Sequence, residues 1–217
     1  MTIQLLAVRH GNTFAPGDKV VWVGRGEDLP LVESGRAQAE ALEETLRHAG
    51  WTPDTAVSGG LVRQTEHLSI AAGEAVPQFE TARLDEVDYG PWGGLSTAEI
   101  EERFGPDEIT AWNERSQWPV AASWPETREQ VAGRVAEFAR EVASGSMGQR
   151  VLVCTSNGIL RWLLDLIPGA LETAVADGTF KVRTGAAGLL EYAPDGAWSL
   201  RCWNLRPAEL AEFFESR

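Results

Sequence analysis

The sequence predicts an α/β protein with three layers: a mostly parallel central sheet, doubly wound, with helices on both faces. Three observations carry this. The runs "QLLAV" (4–8) and "VLVCT" (151–155) are continuously apolar, as in strands buried on both sides. Amphipathic helical stripes lie between them. Strand and helix patterns alternate along the chain, which suits a sheet covered on both faces.

Each element has its own signal. Residues 4–8 form the first strand. In 35–49 Ala39, Leu42, Leu46 and Ala49 fall on one helical face, with Ser34 as candidate N-cap and Gly50 just past the end. "TAVS" (55–58) is a third, weaker strand. Ser96 and Glu99 fit a capping box for a helix that stops at Gly105-Pro106. Residues 105–126 are read as irregular, with Trp112, Trp118 and Trp124 among Pro106, Pro119 and Pro125. This excursion over one edge is either a satellite apolar cluster or a lid. Thr127 and Gln130 fit a second capping box, opening a helix over 128–144 with the stripe Val131, Val135, Phe138, Val142. A strand at 151–155 leads into a buried helix, 158–169, ended by Pro168-Gly169. Residues 186–205 read as a hairpin around "PDG". Without repeat, low-complexity tract or linker, 1–217 is read as one domain.

Composition narrows the function classes. The chain is 43% hydrophobic and 24% charged, ordinary for a globular protein. Its net charge is −13, with 32 acidic residues against 19 Lys and Arg. That field disfavours nucleic acid and anionic membrane as partners. An anionic substrate would need a local positive pocket. No 18-residue apolar stretch occurs. "MTIQLLAV" lacks a basic n-region, so no signal peptide is expected and the protein is placed in the cytoplasm. Cys154 and Cys202 are expected to be buried thiols. Three histidines, with no Cys/His pair at ligand spacing, give no zinc motif.

Ligands of open parallel sheets sit off the carboxyl ends of the strands, where the chain order reverses. "LLAVRHGNTF" (5–14) and "VLVCTSNGILR" (151–161) both end strands. If those strands are neighbours, Arg9, His10 and Asn157 meet in one crevice. Alone, His10 reads sooner as a structural histidine and Arg9 as half of a surface ion pair. Their adjacency at a strand exit, followed by Gly11, makes them candidates.

"RHGNT" (9–13) resembles the motif of the histidine phosphatase superfamily, and the resemblance continues along nearly the whole chain. "VGRGEDLPLVESGRAQAEAL" (23–42) resembles the family's Asp-x-Pro-Leu stretch. "SGGLVRQTEHL" (58–68) is similar to its Ser-x-x-x-Arg-x-x-x-Thr segment. "LDEVDYGPWGGLSTAEIEERF" (84–104) resembles its Leu-x-Glu…Gly-x-Trp-x-Gly stretch. "TSNGILR" (155–161) resembles its Ser-His-Gly-Gly-x-x-Arg element, and "WNLRPAEL" (203–210) its ending.

The resemblance implies roles. His10 would be the nucleophile, its second ring nitrogen held by a backbone carbonyl that fixes the tautomer. Arg9 and Arg63 would clamp the transferring oxygens, and Asn12 and Thr13 would add neutral donors. Glu86 would be the general acid; among Asp85, Glu86 and Asp88 only alignment to the motif selects it. Two positions depart from the family. Pro16 stands where Asn is common. Asn157 stands in place of the second histidine, keeping a donor without a charge. Asn157 is also placed to cap the following helix. Neither His48 nor His67 is an obvious substitute.

The expectation is a metal-independent, cofactor-free phosphatase. It would hydrolyse a small phosphate monoester through a phosphohistidine on His10, the phosphorylated substrate being its partner. A phosphoglycerate mutase-like phosphotransferase and a phosphoester-binding domain with little turnover are the alternatives. Oligomeric state is left open.

Overall fold

The computed structural model describes residues 1–216. In chain order the elements begin with β1 (Ile3–Arg9), α1 (Glu33–His48), β2 (Thr55–Ser58), α2 (Val62–Ala72) and β3 (Gln78–Glu80). Then come α3 (Thr97–Phe104), α4 (Pro106–Arg115), α5 (Arg128–Ala143), β4 (Arg150–Thr155) and α6 (Asn157–Leu164). The chain closes with α7 (Ala170–Ala176), β5 (Ala187–Tyr192), β6 (Trp198–Leu205) and α8 (Pro207–Glu215). One six-stranded sheet runs β3-β2-β4-β1-β5-β6. β1, β2, β3 and β4 pair in parallel, while β5 and β6 are added antiparallel. Strand β3 escaped prediction because three exposed residues carry no period.

The continuous apolar runs are buried on both faces because the pleat divides them. Leu5, Ala7, Val151 and Val153 point into one apolar layer. Leu6, Val8, Leu152 and Cys154 point into the other. The first layer is closed by Val131, Val135 and Phe138 of α5 and by Ile159 and Leu163 of α6. The second is closed by Leu42 and Leu46 of α1, Leu68 of α2 and Leu210 of α8. Cys154 is a buried free thiol as expected, whereas Cys202 is free but only partly buried. Among the described residues no helix is long and apolar enough to cross a membrane.

Both capping boxes form, at Ser96/Glu99 and Thr127/Gln130. Three local expectations are corrected. Helix α1 starts two residues early, with Val32 at the cap position, and Ser34 instead accepts a hydrogen bond from Asn12. The helix expected over 158–169 stops at Leu164. Pro168 lies four residues on; continuing the helix would drive its ring into the Leu164 carbonyl and remove a donor. The excursion at 105–126 is not irregular throughout, since Pro106–Arg115 is helical. Proline is compatible with the first helical position, where its missing N–H has no partner to lose. Nor is it a satellite cluster: Ile109, Trp112, Ala122 and Trp124 are buried in the same layer as α5 and α6. Trp124 packs edge-on against Tyr89, Trp112 and Trp118, each at 5.0 Å between ring centroids.

This topology makes the crevice. β1 and β4 are parallel neighbours, with Arg9 opposite Thr155. From β1 the chain passes to α1 on one face; from β4 it passes to α6 on the other. The carboxyl ends of the two strands open between diverging helices.

Candidate active site

The His10 N–H donates to the Thr155 carbonyl at 3.0 Å, tying the exit of β1 to that of β4. Gly11 then passes so close to α1 that a Cβ on it would strike the Gly35 carbonyl oxygen. A Cβ on Gly35 would strike that of Asn12. Glycine is needed on both sides of this crossing.

His10 is buried, and its Nδ1 lies 2.8 Å from the Gly11 carbonyl. A carbonyl only accepts, so Nδ1 carries the proton and Nε2 the lone pair. Burial, and behind it the charges of Arg9 and Arg63, hold the imidazole well below its usual pKa. The Gly11 N–H in turn donates to Nδ1 of His67 at 3.1 Å. His67 is fully buried, and burial lowers its pKa to about 3. Sequence reasoning set His67 aside; it stands four residues after Arg63, at the place of the family segment's Thr.

Arg9 and Asn157 flank a single residue. Arg9 Nη1 donates to the Val182 carbonyl at 2.7 Å, and the Val182 N–H donates to Asn157 Oδ1 at 2.9 Å. The atom facing that N–H must be the amide oxygen, so Nδ2 is the end left for the cleft. Asn157 is the first residue of α6, with Ser156 at the cap position and no side-chain cap. The capping role is thereby replaced by the bond to Val182.

Glu86 is buried beneath α6. Its Oε1 accepts the Val87 N–H at 2.8 Å and its Oε2 the Gly158 N–H at 3.2 Å. Tyr89 is hydrogen-bonded to it as well; burial and the Glu86 charge push the Tyr89 phenol far above its usual pKa. Gly158 permits this arrangement, because a Cβ there would overlap Glu86 Oε1 and crowd Tyr89 Oη. Asp85 is engaged elsewhere, with the Gly60 N–H and Arg25, and Asp88 with the Gly90 N–H. Of these three carboxylates only Glu86 lines the cleft.

The cleft has a volume of about 820 Å³ and is also lined by Arg9, His10, Asn12, Thr13 and Asn157. The Asn12 amide is engaged at both ends, accepting from Thr184 at 2.6 Å and donating to Ser34 at 3.2 Å. Pro16 lies on the rim, where it offers no donor. The structure does not bring Arg63 to the cleft wall. It is fully buried, donating to the carbonyls of Glu27 at 2.7 Å and Gly24 at 3.0 Å. Its charge still bears on His10 from behind. The wall also carries Trp112, from the tryptophan-rich excursion, and Arg161, Tyr89 and Trp22, which sequence reasoning did not assign. A signal for Arg161 existed: it follows Asn157 by four residues, on the same helical face.

A sequence model of the histidine phosphatase superfamily (branch 1) matches residues 5–206. The chain is 30% identical over 192 residues to the 2,3-bisphosphoglycerate-dependent phosphoglycerate mutase of Methylobacterium radiotolerans, covering 83% of this chain and 85% of that one. The mycobacterial glucosyl-3-phosphoglycerate phosphatase superposes with a TM-score of 0.76 at 25% identity, covering 94% of this chain and 99% of that one. A putative alpha-ribazole-5'-P phosphatase from Escherichia coli shares the fold, with a TM-score of 0.76 at 23% identity over 94% and 97% of the two chains. With Arg9, His10, Glu86 and Asn157 lining one cleft and the family match running almost end to end, the chain belongs to the histidine phosphatase superfamily, branch 1.

Proposed function

We propose that this protein is a metal-independent phosphatase that hydrolyses a small phosphate monoester through a phosphohistidine on His10. The observation that carries the reading is the Nδ1 contact to the Gly11 carbonyl, which leaves an unprotonated Nε2 in a cleft shared with Arg9, Glu86 and Asn157. Nε2 attacks phosphorus, the bond to the alcohol oxygen breaks, and protonated Glu86 gives that oxygen its proton. Water then attacks the phosphohistidine. The P–N bond breaks, its electron pair returns to Nε2, and Glu86 takes the proton from the water. Arg9 steadies the equatorial oxygens, with Arg63 adding charge from behind and the N-terminus of α6 its partial charge. Asn157 Nδ2 and the Thr13 hydroxyl supply neutral donors, while Asn12 holds the rim through Thr184 and Ser34.

Incubation with substrate followed by an alkaline quench tests this. Acid-labile, alkali-stable phosphate is expected on His10 and none on His10→Ala. Labelling that survives the substitution, or that sits on a hydroxyl, overturns the mechanism. The positive charge comes from side chains, so turnover is expected to survive exhaustive chelation; a loss restored by Mg²⁺ or Zn²⁺ overturns metal independence. A second reading, a phosphoglycerate mutase-like phosphotransferase, is favoured by the 30% identical relative. Interconversion of 2- and 3-phosphoglycerate after priming with 2,3-bisphosphoglycerate, faster than release of free phosphate, would select it. Tight ester binding with neither activity would leave a binding domain.

A further inference from the structure

We propose that Gln38 and His67 are positioning residues that keep the proton of His10 on Nδ1. This rests on the phosphatase reading above, in which Nε2 must keep its lone pair. Neither side chain is among the described residues that line the cleft, so each acts through the backbone of Gly11. The carbonyl facing His10 Nδ1 belongs to the Gly11–Asn12 peptide. The N–H of that same peptide, on Asn12, donates to Gln38 Oε1 at 2.9 Å. The peptide before it, His10–Gly11, gives its N–H to His67 Nδ1 at 3.1 Å. One side chain from α1 and one from α2 thus hold both peptide planes around Gly11.

These planes need holding. Gly11 must be glycine because α1 crosses it at Gly35, and glycine leaves the adjoining dihedrals the least restrained of any residue. Turning the Gly11–Asn12 plane over would face Nδ1 with the Asn12 N–H in place of a carbonyl. An N–H only donates, so Nδ1 would have to accept and the proton would pass to Nε2, where it blocks attack on phosphorus. Gln38 is oriented against this. Its Nε2 donates to the Thr184 carbonyl at 3.2 Å and to Thr184 Oγ1 at 3.3 Å. That hydroxyl gives its own proton to Asn12 Oδ1 at 2.6 Å. Reversing the Gln38 amide would set oxygen against the Thr184 carbonyl and N–H against the Asn12 N–H. His67 is held neutral by burial, so with Nδ1 accepting, its proton sits on Nε2. That N–H has no hydrogen-bond partner among the described residues. A buried donor left unpaired is destabilising, and an apolar side chain would avoid it. What the histidine supplies in return is the Nδ1 acceptor for Gly11.

The chain has three histidines, so isotopic labelling of histidine nitrogens gives three ring systems, assigned with His10→Ala and His67→Asn. Long-range nitrogen–proton correlation NMR on the ligand-free protein near neutral pH reads which ring nitrogen carries each proton. Wild-type His10 is expected wholly as the Nδ1–H tautomer, and as a mixture in Gln38→Met and in His67→Leu. On an alkyl phosphate kcat should fall about tenfold in each, with KM within about twofold, for the loss of one neutral hydrogen bond. His67→Asn, whose Oδ1 replaces Nδ1 as acceptor, should recover both the tautomer and kcat. A variant whose His10 stays wholly Nδ1–H overturns the proposal for that residue, whatever its rate. Gln38 is half-buried, so Gln38→Met decides the matter for α1 even where His67→Leu does not fold, and His67→Asn against wild type then serves for α2. A wild-type His10 protonated on Nε2 overturns both the proposal and the phosphohistidine reading. Tautomers that shift as expected in a protein without turnover support the positioning roles and remove the phosphatase reading. Turnover with a tautomer indifferent to both substitutions does the reverse.

Discussion

Asn157→Asp separates the two contacts of one side chain. The Oδ1 that accepts the Val182 N–H at 2.9 Å is retained, because Asp offers an oxygen in the same place. The Nδ2 facing the cleft becomes a second oxygen, and a donor toward phosphate becomes an anion beside it. Two unit charges about 4 Å apart at an effective dielectric of about 20 repel by roughly 4 kcal/mol. That corresponds to about a thousandfold in rate, since each ~1.4 kcal/mol is a factor of ten. The protein itself should not suffer. Val182, 1% exposed, keeps its partner, and an acidic residue in the first turn of α6 suits the helix dipole. The expected result is kcat/KM on an alkyl phosphate lowered about a thousandfold, with the melting temperature unchanged or raised. Asn157→Ala differs: it strands the Val182 N–H and costs about 1–3 kcal/mol of stability as well as turnover. If the Asp variant keeps kcat/KM within about threefold of wild type, Asn157 makes no phosphate contact and serves only to hold Val182.

Other outcomes follow from the same geometry. Glu86→Gln should slow alkyl phosphates at least about tenfold more than 4-nitrophenyl phosphate, whose leaving group needs little protonation; equal losses would indicate a binding or structural role. Gly158→Ala would push a Cβ against Glu86 Oε1 and Tyr89 Oη, so kcat should drop about a hundredfold while circular dichroism stays native. Because His10 is held well below its usual pKa, the acid limb of kcat/KM should lie below pH 6.5; a limb at or above that value contradicts the burial argument. His67, at about 3 when folded, refuses a proton that the unfolded chain accepts below about pH 6.5. Its stabilising contribution is complete above that pH and is lost toward pH 3, at up to ~1.4 kcal/mol per unit. Urea unfolding between pH 7 and 4.5 should thus show a shallower acid loss, by about one proton, in His67→Gln; an unchanged slope refutes this.

What the sequence by itself determined is local. Apolar runs marked β1 and β4, because a strand buried on both faces leaves no polar alternation. Ser96/Glu99 and Thr127/Gln130 announced their helices, because a capping box closes within four residues. Arg9, His10 and Asn157 could be set at one crevice, because each sits at the end of such a run. The family resemblance picked Glu86 from three neighbouring carboxylates by position alone. Only the tertiary structure decided how these residues are held. Val182 reaches Asn157 across 25 residues, Gly11 reaches His67 across 56, and Gly158 reaches Glu86 across 72. It also turned Arg63 toward the carbonyls of Gly24 and Glu27, and left Arg161 buried against Trp112. Periodicity along a chain says which face of an element is buried. It carries no record of which distant group that face will meet, and those meetings set the free end of Asn157, the seat of Glu86 beneath Gly158 and the burial of Arg161 against Trp112.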